Sequence, residues 1–148
     1  MNTAYYQGNR ERLYAMMQPG SLLMLFSGDE IRKTNDEYYP FFADRSFVYF
    51  TGLKCRQAVL LALKDAEGSV AERLYLLPPD AIAERWTGTR IKPQEAESVS
   101  GVEDVRFVGA LETDFPRWRT AETTGPCIST STASPPLTLT ARRTAGET

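Results

Sequence analysis

Four carboxylates, Asp29, Glu30, Asp36 and Glu37, fall within nine residues and are the first place to look for a metal site. A hard cation needs several oxygen ligands converging on one point, and nothing in this spacing converges them. Two thiols, Cys55 and Cys127, lie far apart with no C-x-x-C spacing. That pattern fits two idle or buried thiols in a reducing compartment better than a disulfide framework. The most restrictive feature is an absence, because the sequence contains no histidine. Ser-His-Asp and Cys-His catalysis, H-E-x-x-H zinc sites and other His-ligated metal centres are therefore excluded by inventory. Aromatic and cationic chemistry remains. Trp86 sits between Arg85 and Arg90 in the run ERWTGTR, where an indole supplies a flat apolar wall with one N–H donor.

The chain that must position these residues has 148 of them, enough for one domain with a core. It carries 17 basic against 19 acidic side chains, a mildly acidic balance that argues against nucleic-acid coating. The longest apolar runs, LLMLF and AVLLAL, are too short for a membrane span, and the N-terminus has Arg10 and Arg12 where a signal peptide would be apolar. A soluble cytoplasmic protein is expected, with neither nucleic acid nor membrane as a partner.

Apolar residues at helical spacing predict a helix over residues 3–17, ended by Pro19-Gly20. Ser21 to Ser27 reads as a buried strand, followed by a polar, irregular Gly28 to Asn35. Seven of the sixteen aromatic residues then crowd the fourteen positions from Glu37 to Phe50. Phe47 to Thr51 is read as a strand ending at Gly52, with Tyr38, Phe41, Phe47 and Phe50 as strand core. Gln57 to Lys64 and Glu72 to Leu77 form a hairpin stopped by Pro78-Pro79. Asp80 caps a short helix through Arg85, Pro93 opens a helix over 93–99, and Asp104 to Val108 is a further short strand. This alternation predicts an α/β fold: a mixed central sheet of about five to six strands flanked by helices, over residues 1–118.

Residues 119–148 break the pattern. Nine of these thirty residues are Thr, and none is aromatic. A poorly ordered, low-complexity tail is one reading. A frameshift is the sharper one. Back-translating Thr124 to Thr132 (TGPCISTST) and reading one nucleotide earlier allows YRTLYLDLY, a strand-like alternation, which places loss of the true frame near Trp118 to Thr124. The coding-DNA sequence decides it: an intact gene with no longer frame past this point refutes the shift.

The segments NRERLYAMMQPGSLLMLFSG, NDEYYPFFADRSFVYFTGL, QAVLLALK and LYLLPPDAIAERWTGTRI, in this order, resemble the N-terminal domain of aminopeptidase P. These are Xaa-Pro peptidases of the pita-bread metallopeptidase group, related to prolidase and creatinase. The resemblance spans about residues 5–115 and rests most on F-x-Y-F-T-G and E-R-W-T-G-T-R. It implies a parent enzyme that removes residues preceding proline, with catalysis in a separate C-terminal domain. There two metal ions, usually manganese, are held by two Asp, one His and two Glu. Without His this chain cannot supply that set and is expected to be inert alone.

The resemblance further implies packing against the catalytic domain, assembly into a homo-oligomer, and residues lent to a neighbouring subunit's substrate site for peptides with proline in second position. Asp36 matches an acid approaching the substrate's amino terminus, where a carboxylate stabilises the cation; alternatively it caps or solvates a polar loop. Trp86 matches a tryptophan lining the substrate pocket across the subunit boundary; alternatively it is an ordinary core or interface residue. Arg85 and Arg90 position this loop, pair with acids, or are solvated charges. Phe42 stands where the family often has Arg, which removes support for a substrate contact there. The rival expectations are a stand-alone binding or scaffold module of the same fold, or a solitary domain regulating full-length subunits.

Overall fold

The computed structural model describes residues 2–120 and 127–129, with side chains as far as Trp118. Among the described residues five α-helices and five strands follow in the order α1 (Thr3–Met16), β1 (Ser21–Phe26), α2 (Arg45–Thr51), β2 (Val59–Lys64), β3 (Val70–Leu76), α3 (Ala81–Thr87), α4 (Pro93–Ser100), β4 (Val105–Phe107), α5 (Leu111–Thr120) and β5 (Cys127–Ser129). The strands form one mixed sheet in the order β4-β3-β2-β1-β5. β1 and β3 each pair antiparallel with the central β2, with Leu25 opposite Leu60 and Leu60 opposite Leu74, whereas β4 and β5 run parallel to β3 and β1. The expected α/β architecture is present. The tail reading covers residues 119–148 and the frameshift reading begins near Trp118 to Thr124; positions 119 and 120 end α5, Cys127–Ser129 pair with Leu22–Met24 of β1, and the rest lie outside the described residues.

β1 and β2 are apolar on both faces, apart from Ser21 and Lys64 at their ends, because both faces of the sheet are covered. Leu23, Leu25, Leu60, Ala62, Leu74 and Leu76 point to one face and pack with Phe47, Leu53, Ala96 and Val102 from the helical side. The alternate residues Leu22, Val59, Leu61 and Tyr75 form a second cluster with Trp118.

Phe47 to Thr51 is a helix, not the expected strand. Asp44 caps α2 by accepting from Ser46 N (2.9 Å) and Phe47 N (3.2 Å), and Gly52 closes it in the left-handed region at φ 75°. Two caps and helical burial of Phe47 and Thr51 override the β preference of aromatic side chains. The aromatic run is accordingly not strand core. Phe47 is fully buried and Phe50 packs partly on the core, but Phe41 is only half-buried and Tyr38 is 47% exposed in a loop. Helix α5 was not foreseen: Pro116 lies inside it, and its hold on the sheet is made by side chains distant in sequence.

Three helices lie on one face, and cations satisfy their C-terminal carbonyls. Lys64 Nζ donates to Tyr14 O (2.8 Å) and Met17 O (2.9 Å) at the end of α1. Arg10 Nη1 donates to Phe50 O (2.9 Å) in the last turn of α2 and to Ser100 O (2.7 Å) ending α4. Positive charge at carbonyls that lack intrahelical partners is favourable. The rest of the Arg10 guanidinium reaches Glu72 on β3, with Nε–Oε2 at 2.9 Å, and Tyr14 Oη donates to the same carboxylate at 2.5 Å. Burial first, and then the Glu72 carboxylate, push the Tyr14 phenol well above its ordinary range, so it remains a donor. At the left-handed Gly52 and Gly101 a Cβ would collide with Tyr6 and Gln7 of α1, so the close approach of α1 requires glycine at both.

On the other face Arg73 lies over the Trp118 ring at 4.8 Å and binds Asp104 (2.8 Å) and Asp114 (3.3 Å). Arg106 joins both acids, and Tyr75 Oη donates to Asp114 at 3.0 Å. Burial, chiefly, pushes the Tyr75 phenol up to about 12. Burial of Asp104 acts to raise its carboxyl, but hydrogen bonds from Arg106 and Arg73 outweigh it and hold the group below the usual carboxylate range. Among the described residues no helix is long and apolar enough to cross a membrane.

Two predictions follow from these networks. Arg10→Met leaves Glu72 without its cation and two helix-end carbonyls without their donor, and is expected to lower stability by about 3 kcal/mol in urea unfolding; a loss below about 1 kcal/mol would contradict the proposed tie. Because the folded Asp104 carboxyl titrates below its unfolded value, its contribution is complete above the unfolded value of about 3.9 and disappears as pH falls through the folded one. The urea midpoint of the native protein should therefore fall more steeply between about pH 4 and about pH 2 than that of Asp104→Asn; parallel curves would rule this out.

Candidate functional site

Because β1 and β3 both run antiparallel to β2, their C-terminal ends lie at the same end of the sheet. The connections leaving them, residues 27–44 and 77–92, therefore emerge together, on either side of the residues that enter β2. A cleft of about 280 Å³ lies between them, lined by Glu30 and Phe41 from the first connection, Thr87 to Ile91 from the second, and Lys54, Cys55 and Arg56 before β2.

The floor of the cleft is fastened from two sides. Gln57 takes a left-handed φ of 51°, uncommon for a residue with a side chain. Its N–H donates to Gly28 O at 2.8 Å and its amide nitrogen to Asp29 Oδ2 at 2.6 Å. Arg56 Nη1 meets Glu30 Oε2 at 2.7 Å. Burial pushes the Cys55 thiol up to about 11, so it stays protonated near neutral pH and is a poor nucleophile.

Asp36 is at the tip of a small hairpin. Arg32 and Tyr38 bridge its arms, Lys33 N and Thr34 N donate to Glu37 O (2.8 and 3.1 Å), and Lys33 pairs with Glu37 at 3.2 Å. The Asp36 side chain is exposed and caps nothing. The four acids of this segment are dispersed: Asp29 serves Gln57, Glu30 serves Arg56, Glu37 serves Lys33, and Asp36 faces solvent. Among the described residues no three carboxylate or thiol groups converge to hold a metal. With no histidine either, these residues do not fit a two-metal centre.

Trp86 lies in the last turn of α3 and is 86% exposed, with Ile82 one turn earlier at 74%. No residue of α3 is buried. The helix is held by its ends instead. Asp80 accepts from Ile82 N (3.0 Å) and Ala83 N (3.1 Å), and those bonds hold its carboxyl below the usual range. Arg90 Nη1 donates to Pro78 O, joining the two flanks of the helix. The core reading of Trp86 is thus excluded. Arg85 is solvated as its reading allowed, whereas Arg90 positions the loop; a contact to a backbone carbonyl twelve residues back leaves no sequence signature.

Residues 6–124 match the family model described as aminopeptidase P, N-terminal domain. The chain belongs to this family. The Xaa-Pro aminopeptidase of Haemophilus influenzae is 36% identical over 112 residues, covering 76% of this chain and 26% of that protein. The Xaa-Pro aminopeptidase of Escherichia coli K12 is 33% identical over 98 residues, covering 66% of this chain and 22% of the relative. A solved structure of E. coli aminopeptidase P with the inhibitor Pro-Leu superposes with a TM-score of 0.72 at 27% identity, covering 80% of this chain and 27% of that one. The aminopeptidase P N-terminal domain described here thus spans about a quarter of the length of these relatives.

Arg90→Gln removes the tie between the flanks of α3. Amide hydrogen exchange at Gly88 to Ile91 should accelerate severalfold, while global stability changes by less than about 1 kcal/mol. Unchanged exchange would show that the loop is held otherwise.

Proposed function

We propose that this chain, with residues 1–118 as its folded unit, is the substrate-flanking and assembly domain of an Xaa-Pro aminopeptidase. In this reading the domain packs on the catalytic domain and joins neighbouring copies in a homo-oligomer. It contributes Asp36 and Trp86 to a neighbouring subunit's site for peptides with proline in second position. The observation that carries the reading is the exposure of Trp86, 86% on a helix with no buried residue, at the same sheet end as the Asp36 hairpin. An apolar surface of this kind marks an interaction site. An indole presents a flat face to a prolyl ring, and an exposed carboxylate on a tight hairpin suits a substrate ammonium.

Peptide-bond cleavage then belongs to the catalytic domain, where the resemblance puts two manganese ions. The residues of this chain orient and enclose. Asp36 anchors the charged amino terminus, Trp86 covers the prolyl side and excludes water, and Arg90 keeps the Trp86 helix in place. Without a histidine in its 148 residues, the chain alone does not hydrolyse Xaa-Pro peptides.

The test replaces the equivalent segment of the E. coli Xaa-Pro aminopeptidase with this domain. Trp86→Ala in the chimera should lower kcat/KM at least about tenfold while moving folding stability by no more than about 0.5 kcal/mol. Asp36→Asn should weaken substrates with a free amino terminus and spare amino-acetylated analogues. The isolated chain with manganese should show no turnover above a blank. Wild-type kinetics in both variants, or turnover by the isolated chain, would defeat the proposal.

A further inference from the structure

The cleft itself has a chemistry that the preceding reading does not use. Lys54, Arg56 and Arg90 face a single acid, Glu30, so its ionisable lining carries an excess of two positive charges in a chain whose net charge is −2. Glu30 is committed to Arg56 at 2.7 Å. Lys54 is exposed and has no acidic partner among the described residues. Arg90 forms no ion pair there either: one nitrogen holds the Pro78 carbonyl, and its buried Nε has no acceptor. Asp80, the nearby acid, spends its carboxylate on the amides that start α3. Unmatched cations gathered in a concavity favour an anion there more than they would on a flat surface.

The remaining wall is apolar. Phe41, Leu76, Leu77 and Ile91 line the same space as the cations. A bare inorganic anion would gain nothing from them, whereas a ligand with a carboxylate at one end and an aliphatic side chain beside it would use both. A space of about 280 Å³ suits one or two amino-acid residues and not a folded partner.

We propose that this cleft binds the free C-terminal carboxylate of a short peptide ending in an apolar residue, with Lys54 and Arg90 taking the carboxylate and the Phe41–Ile91 wall taking the last side chain. The proposal needs neither a catalytic domain nor a second subunit, so it stands or fails separately from the role of Trp86 and Asp36.

The experiment is an amide-shift titration of the isotope-labelled chain at fixed ionic strength with acetyl-Ala-Leu, its C-terminal amide, acetyl-Glu-amide and inorganic phosphate. Acetyl-Ala-Leu should produce saturable shifts confined to residues 54–57 and 87–91, with a Kd of roughly millimolar order. The amide should bind at least about tenfold more weakly, and acetyl-Glu-amide and phosphate more weakly than acetyl-Ala-Leu. Lys54→Glu, at an exposed position, should weaken acetyl-Ala-Leu about fivefold at an unchanged thermal midpoint. Equal binding of acid and amide removes the carboxylate from the proposal, and equal binding of phosphate or the glutamyl side chain removes the apolar terminal residue. Either result overturns it, as do the absence of saturable shifts and an unchanged Kd in Lys54→Glu.

Discussion

Arg10 is 2% exposed and stands at the junction of four elements. From α1 it reaches the last carbonyls of α2 and α4 and the Glu72 carboxylate of β3. A buried guanidinium is costly unless its donors are met. Here the acceptors are a carboxylate and two helix ends, groups that themselves need a donor. The three helices of this face are therefore placed relative to the sheet by polar geometry, and the leucine-rich core fills the space between. Tyr14 completes the arrangement by donating to Glu72, and the close packing of α1 against Gly52 and Gly101 allows the short reach.

One face of the sheet is tied through Arg10 and the other through Arg73, Asp104, Asp114 and Trp118. The candidate site residues lie where burial is least, at the end from which the 27–44 and 77–92 connections leave. There Asp36 is solvated, Trp86 projects, and α3 is held only by a cap and one arginine. Such an arrangement leaves residues free to meet another molecule without disturbing the core. It also accords with a chain that covers about a quarter of the Xaa-Pro aminopeptidases it resembles.

The reading of Phe47 to Thr51 as a strand shows where local preference fails. Aromatic and β-branched residues favour strands, but Asp44 supplies a cap three residues before Phe47 and Gly52 a left-handed end, and these decide for a helix. Both cap residues are local features of the sequence, and they act against the aromatic preference for strands. Arg10 gave no comparable hint. Its partners lie 40 to 90 residues away, and a charged residue on an amphipathic helix is ordinarily a solvated one.

By itself the sequence determined the two-faced apolar strands, the hairpin between β2 and β3, the Asp80-capped start of α3 and the Pro93 start of α4, the family and the absence of any imidazole. Each of these is local, or a matter of inventory, and needs no knowledge of what approaches from afar. Only the tertiary structure decided that Trp86 projects, that Arg90 braces its loop, and that Lys54, Arg56 and Arg90 share one cleft. The reason is strand direction: β1 and β3 point the same way only once both have paired with β2, and that pairing brings distant connections to one end of the sheet.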